Sequence, residues 1–129
     1  MKRMGCILIT LVIFSCTKSG ENGECYRSGQ ALIDTVTGPS VVNVGQSLNL
    51  HVILPFADGC YGVKSIPLNR LNDSLYEISA RYESVGCVCT MVAGTFDSSI
   101  SIQPNRTGLL KFRYKNNELQ YRYYQVRVQ

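Results

Sequence analysis

The sequence predicts an all-β domain, and more specifically a two-sheet β-sandwich of about seven or eight short strands. Three observations carry that expectation. The apolar pattern has period two nearly everywhere, which marks strands with one buried face. Clusters of Gly, Pro, Asn and Asp punctuate these runs: Gly38-Pro39, Asn43 to Gly45, Asp58-Gly59, Asn72-Asp73, Pro104-Asn105 and Asn116-Asn117. No segment of helical length repeats apolar residues at the i, i+3, i+4, i+7 positions that a helix face needs.

Taken in chain order, residues 1–15 come first. Lys2 and Arg3 precede an apolar run from Cys6 to Phe14, and Ser15 follows as a small residue before a cut. This is the pattern of a secretory signal. The run is about half the ~20 residues of a spanning helix, so a transmembrane anchor is not expected. Ile13-Phe14-Ser15-Cys16 resembles a bacterial lipobox in the relaxed form found in lipoproteins of the Bacteroidota, with Phe14 bulkier than the usual small residue. The resemblance implies that the Cys16 thiol receives a diacylglyceryl group, that cleavage falls just before it, and that the membrane partner is reached through this lipid. One acyl chain anchors poorly at about 0.8 kcal/mol per buried methylene, whereas two or three on Cys16 would hold the protein at a membrane surface. The expected location is the outer membrane. Residues 16–28 are the expected lipidated Cys and tether, since "TKSGENGE" is polar, Gly-rich and without apolar periodicity. Some surface-exported lipoproteins carry an acidic run here. Glu21 and Glu24 are scattered, so the face of the membrane stays open.

Of 129 residues, 114 remain after the signal, enough for one domain with one core, expected over residues 29–129. Losing Lys2 and Arg3 leaves 11 basic against 9 acidic side chains, a balance of +2. That is too mild to argue for nucleic acid, and export argues against it further.

Within the domain, Leu48, Leu50, Val52 and Leu54 share one face of a strand, with Asn49 and His51 on the other. Tyr76, Ile78, Ala80 and Tyr82 alternate with Glu77, Ser79 and Arg81, and Leu110, Phe112 and Tyr114 with Lys111 and Arg113. "KFRYKNNELQYRYYQV" reads as a terminal hairpin with its turn at Lys115 to Glu118. "PSVVNVGQSLNLHVIL" is similar to the opening of many immunoglobulin-like (Ig-like) modules, with a bent first strand, a Val-Gly turn and an alternating second strand. The chain has no Trp, so the core Trp of antibody domains is missing. A closed barrel is the competing architecture. "DGCYG", "YEISARYES", "GCVCT" and "GLLKFRY", with the alternating final strand, resemble small Ig-like lipoproteins of the Bacteroidota over most of residues 30–129. That resemblance implies fold and compartment and brings no catalytic residues with it.

Outside the signal and Cys16, four cysteines remain: Cys25, Cys60, Cys87 and Cys89. An even count in an exported chain points to disulfides. Residues i and i+2 of a strand lie ~6.5–7 Å apart, beyond the ~3.8 Å that Cβ atoms of a disulfide want. Cys87 and Cys89 are therefore not expected to bond to each other. Two pairings survive: Cys60–Cys87 with Cys25–Cys89, slightly preferred because it is nested, or Cys60–Cys89 with Cys25–Cys87. A metal shell from Cys60, Cys87, Cys89 and His51 is possible on paper, but His51 is the only histidine and thiolate sites suit reducing compartments. Redox exchange normally uses C-x-x-C at a helix start, which "GCVCT" lacks.

No G-x-S-x-G elbow, P-loop, H-E-x-x-H or EF-hand loop is present. Asp34, Asp58, Asp73, Glu77, Glu83 and Asp97 are scattered, so no carboxylate pair, catalytic residue, metal or cofactor is expected. Asp34-Thr35-Val36 and Asp73-Ser74-Leu75 match the short O-glycosylation signal of exported Bacteroidota proteins. The terminal hairpin is the one surface with character. Tyr121, Tyr123 and Arg127 are expected on its outer face beside Lys111 and Arg113, with Tyr124, Val126 and Val128 inward. Tyr and Arg are favoured interface residues; the plain alternative is tyrosines covering an amphipathic outer face. The function expected is therefore not enzymatic: an envelope module that binds or supports an envelope protein or glycan. The alternative is a small envelope enzyme or redox or metal protein using Cys87 and Cys89.

Overall fold

The computed structural model describes residues 25–129. The expected signal peptide, Cys16 and the tether up to residue 24 lie outside the described residues. Among the described residues there is no helix, and so none long and apolar enough to cross a membrane.

Eleven strands follow in chain order: β1 Tyr26–Ala31, β2 Thr35–Thr37, β3 Val41–Val42, β4 Leu48–Phe56, β5 Tyr61–Ser65, β6 Leu68–Arg70, β7 Leu75–Ile78, β8 Ala80–Val85, β9 Gly94–Ile102, β10 Gly108–Lys115 and β11 Tyr121–Val128. They form three sheets in the orders β2-β4-β9, β3-β11-β10-β7-β6 and β1-β8-β5. Each ends in two edge strands, so none closes into the competing barrel.

β4 shows why the sandwich forms. Leu48, Leu50, Val52 and Leu54 are all fully buried, while Asn49 and His51 face out. Burying each such side chain contributes about 1.5–3 kcal/mol. Opposite them lie Leu110, Phe112 and Tyr114 of β10 and Val126 and Val128 of β11, in the same apolar cluster. The β2-β4-β9 sheet and the five-stranded sheet therefore share one core, which gives the molecule its sandwich-like character. Gly45, at φ 79°, makes the turn into β4, where Gln46 N donates to Asn43 O at 3.1 Å. Only glycine takes that φ without steric cost.

The strand count exceeds the seven or eight expected because long runs are broken. The predicted 75–82 run is interrupted at Ser79, whose N–H leaves the ladder and donates to Pro67 O at 3.1 Å. Pro67 interrupts the opposite strand and has no N–H to give. A single antiparallel ribbon thus changes sheet midway: β6 and β7 belong with β10, while β5 and β8 belong with β1. The β7–β10 and β3–β11 pairings are parallel, so the five-stranded sheet is mixed. β1 was not legible as a strand. Tyr26 to Ala31 pairs with Val85 to Ala80, so residues 25–28, expected in the tether, belong to the folded domain.

Candidate functional site

The candidate site grows from the terminal hairpin. In register, Leu109 faces Arg127, Lys111 faces Gln125, Arg113 faces Tyr123 and Lys115 faces Tyr121. Alternate residues of β11, Val126 and Val128, are buried and Tyr124 is half-buried, so the odd-numbered set points away from the core. Tyr124 is held by its hydroxyl, which donates to Gly38 O. The loop of residues 116–120 differs from the expected turn at Lys115 to Glu118. Lys115 still pairs in β10, and Asn117 Oδ1 accepts from Leu119 N at 3.0 Å and Gln120 N at 2.8 Å. On the other flank of β10, Leu75 faces Lys111 and Glu77 faces Arg113.

The two exposed tyrosines differ in what holds them. Tyr121 lies under the Arg113 guanidinium, 4.6 Å from its ring centroid, and under Lys115 Nζ at 5.5 Å. Arg113 is held in turn by Glu77 Oε2, with both Nε and Nη2 at 2.6 Å. Glu77 and Arg113 are half-buried and neutralise each other beside the exposed Tyr121 ring. Tyr123 is 55% exposed and has no ring or hydrogen-bond partner among the described residues. It borders a shallow depression of about 450 Å³ together with Asn72, Ser74, Leu75, Lys111 and Gln125. Arg127 lies at the far end of the face beside Val41 of β3, about 20 Å along the strand from Tyr121. The five residues singled out from sequence therefore share a face but do not converge on one spot. Asn72, Ser74 and Gln125 were missed, because the first two come from the β6–β7 turn and only the parallel β7–β10 pairing brings that turn alongside.

The cysteines form a clasp at another place. Cys25 is bonded to Cys87 with Cα atoms 4.8 Å apart, and Cys60 to Cys89 at 5.3 Å. This corrects the slightly preferred nested pairing. The strand geometry used to exclude a Cys87–Cys89 bond is corrected too, since β8 ends at Val85 and "GCVCT" lies in the loop that follows. The physical reason is the order β1-β8-β5. β8 runs between its two partners, so Gly86 N donates to Cys25 O on one side while Val85 N donates to Cys60 O on the other. The two cysteines that follow then reach to opposite neighbours. Gly86 permits the exit at φ 130°, and a Cβ there would lie 2.9 Å from Cys60 Sγ.

Other candidates are dispersed. His51 Nδ1 meets Asp97 Oδ1 at 3.2 Å on the outer face of β4 and β9. Among the described residues, one trio of possible metal ligands converges: Asp58, Cys60 and Cys89, within 4.8 Å of one another. Its two sulfurs are bonded to each other, and Asp58 Oδ1 already accepts from Cys60 N at 3.0 Å. Of the two glycosylation-like triplets, Thr35 is half-buried in β2 and Ser74 is exposed in the β6–β7 turn. In comparisons with family models, curated proteins and solved structures, nothing matches this chain.

Proposed function

We propose that the protein is an Ig-like module of the bacterial cell envelope, anchored in the outer membrane by lipid on Cys16, with a binding or supporting role and no catalysis of its own. The observation that carries the binding part is the outer face of β7, β10 and β11. It combines Lys111, Arg113, Lys115 and Arg127 with the exposed rings of Tyr121 and Tyr123, over a sheet whose other face is core. Rigid aromatic surface and cations on a well-packed sheet suit an envelope protein or glycan as partner. The Ig-like reading draws on two opposed β layers and on short β3 running parallel to β11. The parallel β7–β10 pairing departs from the antiparallel sheets of that fold. The resemblance of Ile13 to Cys16 to a lipobox supports the anchor.

The test separates anchor from surface. Cys16→Ser should release the protein from the salt-washed membrane fraction of cells and leave the precursor uncleaved. The same unlipidated chain, purified, should still sediment with isolated envelopes. Adding Tyr121→Ala and Tyr123→Ala should abolish that sedimentation while lowering the melting temperature by only a few degrees. Retention of Cys16→Ser in salt-washed membranes sinks the anchor. Sedimentation that survives loss of both rings sinks the surface.

A further inference from the structure

Building on the reading of this face as a binding surface, we propose that the depression beside Tyr123 is a subsite for an acidic sugar, a uronic-acid unit of a polysaccharide. Four features of the site define the ligand. First, Tyr123 is 55% exposed with no ring or cation over its face among the described residues, whereas Tyr121 next to it is already stacked under two cations. An open ring face accepts the C–H face of a sugar. Second, the rest of the lining is hydrogen-bonding: Gln125, Ser74 and Asn72. Asn72 Oδ1 is taken up by Ser74 N at 2.9 Å, Leu75 N at 2.8 Å and Ser74 Oγ at 3.3 Å, which fixes the turn and leaves the Asn72 Nδ2 donors without a hydrogen-bond partner among the described residues. Amides that both donate and accept match vicinal hydroxyls.

Third, the charge at the depression is a single unneutralised cation. Arg113 is matched by Glu77, whereas Lys111 is fixed only through its backbone, whose N–H donates to Ser74 O at 2.8 Å, and its side-chain ammonium has no ion pair or hydrogen bond among the described residues. One free ammonium beside an aromatic face suits one carboxylate per sugar, held by a charge-assisted hydrogen bond. It does not suit a dense polyanion. Fourth, Leu75 is the only aliphatic residue of the lining, so the depression lacks the apolar pocket in which a peptide would bury an anchor side chain. Its volume of about 450 Å³ falls among small-molecule sites.

The probe is a short oligogalacturonate titrated into the purified full chain, with a neutral galactan oligosaccharide of equal length and an oligoglutamate as comparators. Oligogalacturonate should bind, at least tenfold more tightly than either comparator, and weaken as salt rises. Lys111→Gln should lower its affinity about tenfold and leave the neutral sugar unchanged. Tyr123→Ala should abolish binding of both sugars. Tyr123→Phe should retain it, which keeps the test valid if the alanine variant folds poorly. Lys64→Gln, on the β1-β8-β5 sheet, controls for net charge. Three outcomes overturn the proposal: no oligogalacturonate binding, oligoglutamate binding as tightly, or binding indifferent to Tyr123. If the uronate fails while loss of both rings still frees the chain from envelopes, the surface stands and the acidic-sugar subsite falls.

Discussion

Two regions of this domain are held together in different ways. Where β4 faces β10 and β11, cohesion comes from close-packed apolar side chains: Leu48, Val52, Leu54, Phe112 and Val126 have no solvent exposure. In the β1-β8-β5 sheet, the buried set shrinks to Ala31, Ala80 and Ser84. Both disulfides fall at the far end of that sheet. Tyr61, Val63 and Tyr82 add half-buried apolar surface against the core, but this sheet buries no large side chain fully, so it has less apolar burial to offset the entropy of ordering three strands. Covalent links that restrict the unfolded chain supply what packing does not. The disulfides thus mark where the core runs out.

The largest expected effect breaks the packed region. Phe112 is fully buried, and its ring stacks at 5.5 Å on Tyr76 of the neighbouring strand. Phe112→Ala should cost about 3–5 kcal/mol, read from denaturant midpoints at constant slope. A loss under 1 kcal/mol would mean that this core is not the main source of stability.

Removing the disulfides comes next. Cys60→Ser with Cys89→Ser, or Cys25→Ser with Cys87→Ser, should each cost about 2–4 kcal/mol. The bridges span 29 and 62 residues, so loop-closure entropy makes the longer one stronger by about 0.7 kcal/mol. Hydrogen exchange locates the effect: after reduction, amides of β1 and β5 should lose protection while β4 keeps its own. Equal loss in both regions would show that the clasp stabilises the whole domain rather than one sheet. Non-reducing peptide mapping checks the pairing itself.

Two smaller effects also belong to the clasped sheet. Ser84 is buried and its hydroxyl has no hydrogen-bond partner, which packing-dominated regions avoid. Ser84→Ala should therefore stabilise by up to about 1 kcal/mol, or at worst be neutral. Tyr61 stacks on Tyr82 at 4.9 Å, and burial, then the neighbouring Tyr82 phenol, pushes its pKa above 10.0. The folded chain then holds this proton more tightly than the unfolded one. Its contribution is fully present below pH 10 and is lost as pH rises through the folded value. Tyr61→Phe should flatten the alkaline fall in melting temperature. An unchanged fall would point to another group.

The same contrast explains what could be read from the sequence. β4, β10 and β11 announce themselves, because a strand packed on one face must alternate, and every expected inward residue from Leu48 to Leu54 is buried. The six turn signals all fall between strands for the same reason. β1 exposes Tyr26, Arg27, Ser28 and Gln30 and exists through its pairing with β8 and the Cys25 bridge, so no local pattern marks it. The sheet switch at Pro67 and Ser79 is also silent: Tyr76, Ile78 and Ala80 keep perfect alternation across it. The correct disulfide pairing follows from which strands flank β8, a non-local fact. At the candidate site, the Tyr and Arg positions were legible from parity along β11. The Asn72 and Ser74 contribution was not, since it depends on a parallel pairing between strands more than 30 residues apart.

The smallest effects lie on the outer face of the hairpin, and they discriminate between two neighbouring rings. Tyr121 is 40% exposed and carries the Arg113 and Lys115 side chains over its face, with Arg113 fixed by Glu77. A cation over an aromatic ring at an exposed site contributes about 0.5–1 kcal/mol. Tyr121→Ala should therefore destabilise by roughly that amount and should raise the salt sensitivity of the Arg113–Glu77 pair. Tyr123 makes no comparable contact, so Tyr123→Ala should stay within about 0.5 kcal/mol of the parent. Chemical denaturation of the two single variants and the double variant measures both. If the Tyr123 variant loses as much as Phe112→Ala, the ring is core, the β11 register is shifted by one, and Arg122 and Tyr124 face solvent in its place. A cost confined to Tyr121 would leave Tyr123 as the side chain whose exposure the fold itself does not require.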